Sequence, residues 1–150
     1  MSLKDRLVED MKDAMRAKEE GKVKLSVIRM ARAAIKNAEI DKRLEFNDEQ
    51  VIEVLAREVK MRRDAIAEFT KADRPEQVKD LEEEIAVLMQ YLPQQLSAGE
   101  IRQLAQEVIA AVGANGPKDL GKVMGSLTPK TKGRADGKAV NQIVRELLGS

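Results

Sequence analysis

The chain contains no cysteine, no histidine and no tryptophan. Without cysteine there is no disulfide, no thiolate metal site and no thiol nucleophile. Without histidine the commonest general base and the commonest metal ligand are missing too. Aromatic side chains amount to one tyrosine and two phenylalanines, so the core must be aliphatic and base stacking on aromatic rings has little to work with. Only four prolines interrupt 150 residues. No apolar run approaches the roughly 20 residues that span a bilayer. The opening MSLKDRLVEDMKDAM is too charged for a secretory signal peptide. The expectation is a cytoplasmic protein with no membrane part, no metal and no cofactor.

What remains is aliphatic and charged: 43% hydrophobic and 35% Asp, Glu, Lys and Arg. That mixture reads as amphipathic helices with solvated outer faces. Ser2 with Asp5 opens a first helix with apolar positions Leu3, Leu7, Met11 and Met15, and Gly21 closes it in a left-handed turn. A second helix runs from about Lys22 to Leu44. Asn47 and Gln50 form a capping box, Phe46 and Val51 a hydrophobic staple, and Val51, Leu55, Val59, Ile66 and Phe69 the stripe of a third. Arg62 takes one turn of that stripe. Pro75 opens a fourth helix, which ends before Pro93. Ser97 and Glu100 repeat the capping box, with Leu96 and Ile101 as staple, and a fifth helix runs to Gly113. A short sixth begins near Pro117 and breaks at Thr128-Pro129. A loop leads to Asp136, which caps a last helix.

No segment alternates with the period of a strand. The reading is all-α: a helical N-terminal domain of about four helices (1–93) and a compact three-helix C-terminal domain (97–150).

The 27 basic and 26 acidic residues nearly cancel, so distribution matters more than total. Residues 1–93 carry a net −2 and residues 94–150 a net +3. Lys118, Lys122, Lys130, Lys132, Arg134 and Lys138 gather in one segment against Asp119 and Asp136. Glycines lie among them. Cations beside glycine, near a helix start, are the ingredients of a phosphate-backbone contact; a solvated loop with tight turns has the same composition. A second basic ridge lies on the second helix. There Lys22, Arg29, Arg32, Lys36 and Arg43 fall within about 80° on a helical wheel, with Glu82, Glu83 and Glu84 as expected balancing charges.

Several motifs tempt and fail. Gly116 to Lys122 has the spacing of a phosphate-binding loop, but Val123 stands where Ser or Thr is needed and no strand precedes it. Ser126 lies near lysines in sequence, a weak sign of a nucleophile. Ser2 and Ser97 read as caps, Ser26 lies within a helix and Ser150 is terminal. No catalytic residue is assigned.

The run Asp119-Leu-Gly-Lys-Val-Met-Gly-Ser-Leu-Thr-Pro-Lys-Thr-Lys-Gly-Arg-Ala-Asp-Gly-Lys-Ala-Val-Asn141 closely resembles the GatB/YqeY family. That family's pattern is a Gly-Lys-Val-Met-Gly helix, a Lys-Gly-Arg-Ala-Asp loop and a last helix containing Val-Asn. In the N-terminal half Ser26-Val-Ile-Arg-Met, Arg57-Glu-Val-Lys with Arg62-Arg63-Asp64, and Tyr91-Leu-Pro-Gln-Gln-Leu are similar to its free-standing YqeY branch. Thr128 departs from the pattern, where an apolar residue is usual. The resemblance implies an all-α fold and a tail that, in the glutamine-dependent tRNA amidotransferase, helps engage tRNA. Amide transfer, a carbon–nitrogen ligase activity with glutamine as donor, belongs there to other domains. The expected function is thus a tRNA-binding accessory protein without catalysis of its own. Lys122, Lys130, Lys132, Arg134 and Lys138 would contact phosphates, Gly121, Gly125 and Gly133 would allow close approach, and Asp136 and Asn141 would shape the loop. The alternative is an adaptor for a tRNA synthetase or amidotransferase subunit.

Overall fold

A computed structural model describes residues 1–149; Ser150 lies outside the described residues. The described residues form seven α-helices and no strand: α1 (Leu3–Arg16), α2 (Lys22–Lys42), α3 (Asp48–Lys71), α4 (Pro75–Met89), α5 (Ala98–Val112), α6 (Leu120–Thr131) and α7 (Gly137–Leu148). The all-α reading is therefore correct. Backbone contacts divide the chain into two compact units, Met1–Leu92 and Pro93–Ser150.

Three helices start on reciprocal caps, as local spacing dictates. The Ser2, Asn47 and Ser97 side-chain oxygens accept from the backbone N–H of Asp5, Gln50 and Glu100, and each of those carboxylates or amides accepts in return from the cap's own N–H. Pro75 takes the first turn of α4, where its missing N–H costs nothing.

In the N-terminal unit Leu7, Val27, Ile28, Val51, Leu55 and Leu88 are fully buried and pack α1 to α4 together. Each such side chain contributes about 1.5–3 kcal/mol by leaving water. Polar ties surround them. Glu39 Oε2, near the end of α2, accepts from Lys4 Nζ at 2.6 Å and from the Phe46 N–H at 2.7 Å. Those two hydrogen bonds hold its carboxyl below the ordinary value. Tyr91, buried, donates to Asp10 Oδ2 at 2.5 Å with the Arg6 guanidinium 5.0 Å above its ring. Burial, aided by Asp10, pushes the phenol upward in pKa.

Arg62 is only 9% exposed. Its Nε donates to Glu84 Oε1 at 3.0 Å, and its Nη1 to the Glu58 carbonyl at 3.0 Å and to Glu58 Oε1 at 3.2 Å. The charge that interrupts the apolar stripe is thus matched by two carboxylates, one on its own helix and one on α4.

Gly21 does not end α1 in the left-handed conformation. Its φ is −94°, and the helix stops at Arg16 before a short 3-10 turn, Lys18–Gly21. Lys18 takes the positive φ instead. Gly21 has a different purpose: a Cβ there would fall on the Ala14 carbonyl oxygen. The glycine lets the start of α2 press against the backbone of α1.

In the C-terminal unit Ile101, Ala105, Val108, Val123, Leu127, Val140 and Val144 form the core between α5, α6 and α7.

Candidate functional site

The basic segment is more helical than the sequence suggests. A 3-10 turn, Pro117–Asp119, leads into α6, with Asp119 Oδ2 accepting from the Asn115 N–H at 3.0 Å. α6 does not break at Thr128-Pro129; it runs to Thr131 with Pro129 inside it. A proline forfeits one helical hydrogen bond and crowds the carbonyl four residues back. Here only a last half-turn lies beyond it, and burial of Leu127 and Thr131 holds that end in place. The Thr131 hydroxyl donates back toward the carbonyls of Leu127 and Thr128, at 3.5 and 3.4 Å.

The expected loop is consequently a tight turn strapped to the chain before α5. Gly133, buried, has φ +73°, a conformation that favours glycine. Its carbonyl accepts from Gln95 Nε2 at 2.9 Å. The Arg134 carbonyl accepts from the Leu96 N–H at 2.8 Å, and Arg134 Nε donates to the Gln94 carbonyl at 3.2 Å. Arg134 also stands near Glu100, whose carboxyl is held below its usual range chiefly by the Ser97 N–H and hydroxyl. Gly133 and Arg134 therefore serve the turn. Sequence reasoning missed the strap, although Gln94 and Gln95 lie in the quoted Tyr91-Leu-Pro-Gln-Gln-Leu stretch; their partners are about 40 residues away in the chain.

The other candidates divide. Lys122 and Lys130 lie exposed on one strip of α6, with Ser126 midway at four-residue steps. Beside that strip run Gly121 and Gly125, with nothing within 4 Å of the place a Cβ would occupy. Lys118 is exposed on the preceding turn. Lys132 and Lys138 are exposed, and neither is without a partner. Asp136 caps α7, its Oδ1 accepting from the Lys138 N–H at 3.3 Å. Asn141 Oδ1 accepts from Arg145 Nε one turn along α7, at 2.6 Å. The six cations do not form one free cluster at the turn.

On α2 two of the expected balancing charges, Glu83 and Glu84, line a groove with Lys22 but make no ion pair with it. Glu84 pairs with Arg62. No ion pair within 4 Å joins Lys22, Arg29, Arg32, Lys36 or Arg43 to a carboxylate among the described residues. Arg32 donates to the Met11 sulfur, and Arg43 sits past the helix end in the left-handed region. Among the described residues no group of three or more acidic side chains is placed to hold a metal, and no helix is long and apolar enough to cross a membrane.

The profile of the family described as YqeY-like protein matches residues 4–148. The chain belongs to that family. The resemblance read from the Gly-Lys-Val-Met-Gly and Lys-Gly-Arg-Ala-Asp motifs is thereby shown. Two fungal relatives are both named "Altered inheritance of mitochondria protein 41, mitochondrial". The one from Pyrenophora tritici-repentis is 30% identical over 148 residues, covering 97% of this chain and 80% of the relative. The one from Kluyveromyces lactis is 38% identical over 86 residues, covering 57% of this chain and 45% of the relative.

These names overturn two expectations. Relatives named for the inheritance of mitochondria do not support a tRNA-binding amidotransferase accessory, or the alternative built around the same enzymes. The cytoplasmic expectation falls too, because both relatives are named as mitochondrial.

Proposed function

We propose that this member of the YqeY-like family works by binding a partner protein rather than by bond chemistry of its own, with the outward face of α6 as the contact. The observation that supports this is the pair Gly121 and Gly125. A glycine in a helix interior, as at Gly125, costs about 1 kcal/mol relative to alanine, and less in the first turn, where Gly121 lies. At neither position does any other part of the chain approach the space a Cβ would fill, so no internal packing offsets that cost. Two such positions one turn apart bare a strip of backbone to close approach from outside. Lys122 and Lys130 flank it without an ion pair among the described residues, which favours a partner segment carrying carboxylates.

A photoreactive residue placed at Ser126 in living cells tests the reading. The expected result is a discrete protein adduct that survives ribonuclease and is absent when the probe sits at exposed Gln106 on α5. Equal adducts at both positions, or loss of the adduct with ribonuclease, would contradict it.

A further inference from the structure

The N-terminal unit carries a second surface, independent of α6 and built from other residues. Of the seven large hydrophobic side chains exposed in the structure, Val23, Met30 and Ile40 lie on α2 and Leu44 just beyond its end. The placement is periodic. Val23, Met30 and Asn37 recur every seven residues, and Ser26, Ala33 and Ile40 fall between them; all six are exposed. The face that α2 buries is a different one, carrying Val27, Ile28, Ala31 and Ile35. A seven-residue repeat of this kind is the seam along which two helices pack side by side, and a polar residue such as Asn37 within a seam sets register.

Charge marks what would fit. Lys22, Arg29 and Lys36 also recur every seven residues, each one position before a seam residue; none has an ion pair within 4 Å among the described residues, and Lys36 acts on Glu39 only at longer range. On the opposite edge, at the N-terminal end, Asp80 and Glu83 of α4 border a groove of about 500 Å³ shared with Lys22, Val23 and Ser26. A second copy of α2 suits this edge poorly. Antiparallel, it would set one basic row against another; parallel, it would offer Val27 and Ala34, which pack into their own unit. An anionic bilayer would attract the same cations, but Ser26, Ala33 and Asn37 lack the bulk that an interfacial helix inserts.

From this geometry we infer that the α2 seam docks an amphipathic helix of a partner protein bearing Asp or Glu along the edge that meets Lys22, Arg29 and Lys36. The probes are two synthetic three-heptad peptides with Leu and Ile in the seam, one flanked by Glu and one by Lys, titrated against the full chain by fluorescence anisotropy. The Glu-flanked peptide should bind at least about tenfold more tightly than the Lys-flanked one. The exposed changes Ala33→Glu with Ile40→Glu should abolish binding without lowering the melting temperature. Arg29→Glu with Lys36→Glu should reverse the preference, which a merely sticky surface would not do. Equal binding of the two peptides, binding of neither, self-association through the seam, or uptake by vesicles of anionic phospholipid lost on Ile40→Glu would each overturn the inference. None of these readouts touches α6, so failure here leaves the reading of Gly121 and Gly125 standing.

Discussion

The basic turn of the C-terminal unit and the basic row on α2 of the N-terminal unit use their cations in opposite ways. In the C-terminal unit the basic turn looks free in sequence, yet Arg134 is bonded to the Gln94 carbonyl and its neighbour Gly133 to Gln95. In the N-terminal unit the basic row of α2 looks balanced by Glu82, Glu83 and Glu84, yet Glu84 pairs with Arg62 and the row stands without ion pairs among the described residues. Clustered charge is therefore no guide to available charge. Which helices become neighbours decides where each charge is used.

The comparison breaks most visibly at the charge used most fully. Arg62→Met should cost about 3 kcal/mol, since it strands the carboxylates of Glu58 and Glu84 beside the core. Chemical denaturation would measure it, and a change near zero would mean the two glutamates relax into water. Gly21→Ala comes next, at about 1–3 kcal/mol, because the new methyl meets backbone rather than a flexible side chain. Arg134→Ala should cost about 1 kcal/mol through the lost bond to Gln94, whereas Arg29→Ala should stay within about 0.5 kcal/mol. A cost at Arg29 equal to that at Arg134 would erase the distinction between the α2 row and the turn.

The smallest effect is a pH dependence. Glu39 has a folded-state pKa below its ordinary 4.5, held there by Lys4 and the Phe46 N–H. Its contribution is therefore present above that ordinary value and is lost as pH falls through the lower folded one. Glu39→Gln should flatten the acid limb of the stability curve in that window and leave the neutral region's slope unchanged.

What could be read in advance was local. The capping boxes at Asn47 and Ser97 span four residues, and their partners are fixed by helix geometry alone. The helical stripes followed from period in the same way, except at the end of α1, where Ala14 is buried and Met15, read as part of the stripe, is exposed. The family, too, was legible in the run from Asp119 to Asn141. What could not be read depended on distant neighbours: Gly21 against Ala14 across a chain reversal, Arg134 against Gln94, Glu84 against Arg62. Pro129 misled for a related reason. Its local preference is to end a helix, and burial of Leu127 and Thr131 outweighs that preference.

The account rests on glycines that nothing inside the chain requires. Gly121→Ala with Gly125→Ala should therefore raise the unfolding free energy by about 1 kcal/mol while abolishing the protein adduct formed from a photoreactive residue at position 126. If the double change lowers stability, the chain itself uses these glycines; if stability rises and the adduct persists, no partner needs the bared backbone. Either result would contradict the proposal for α6.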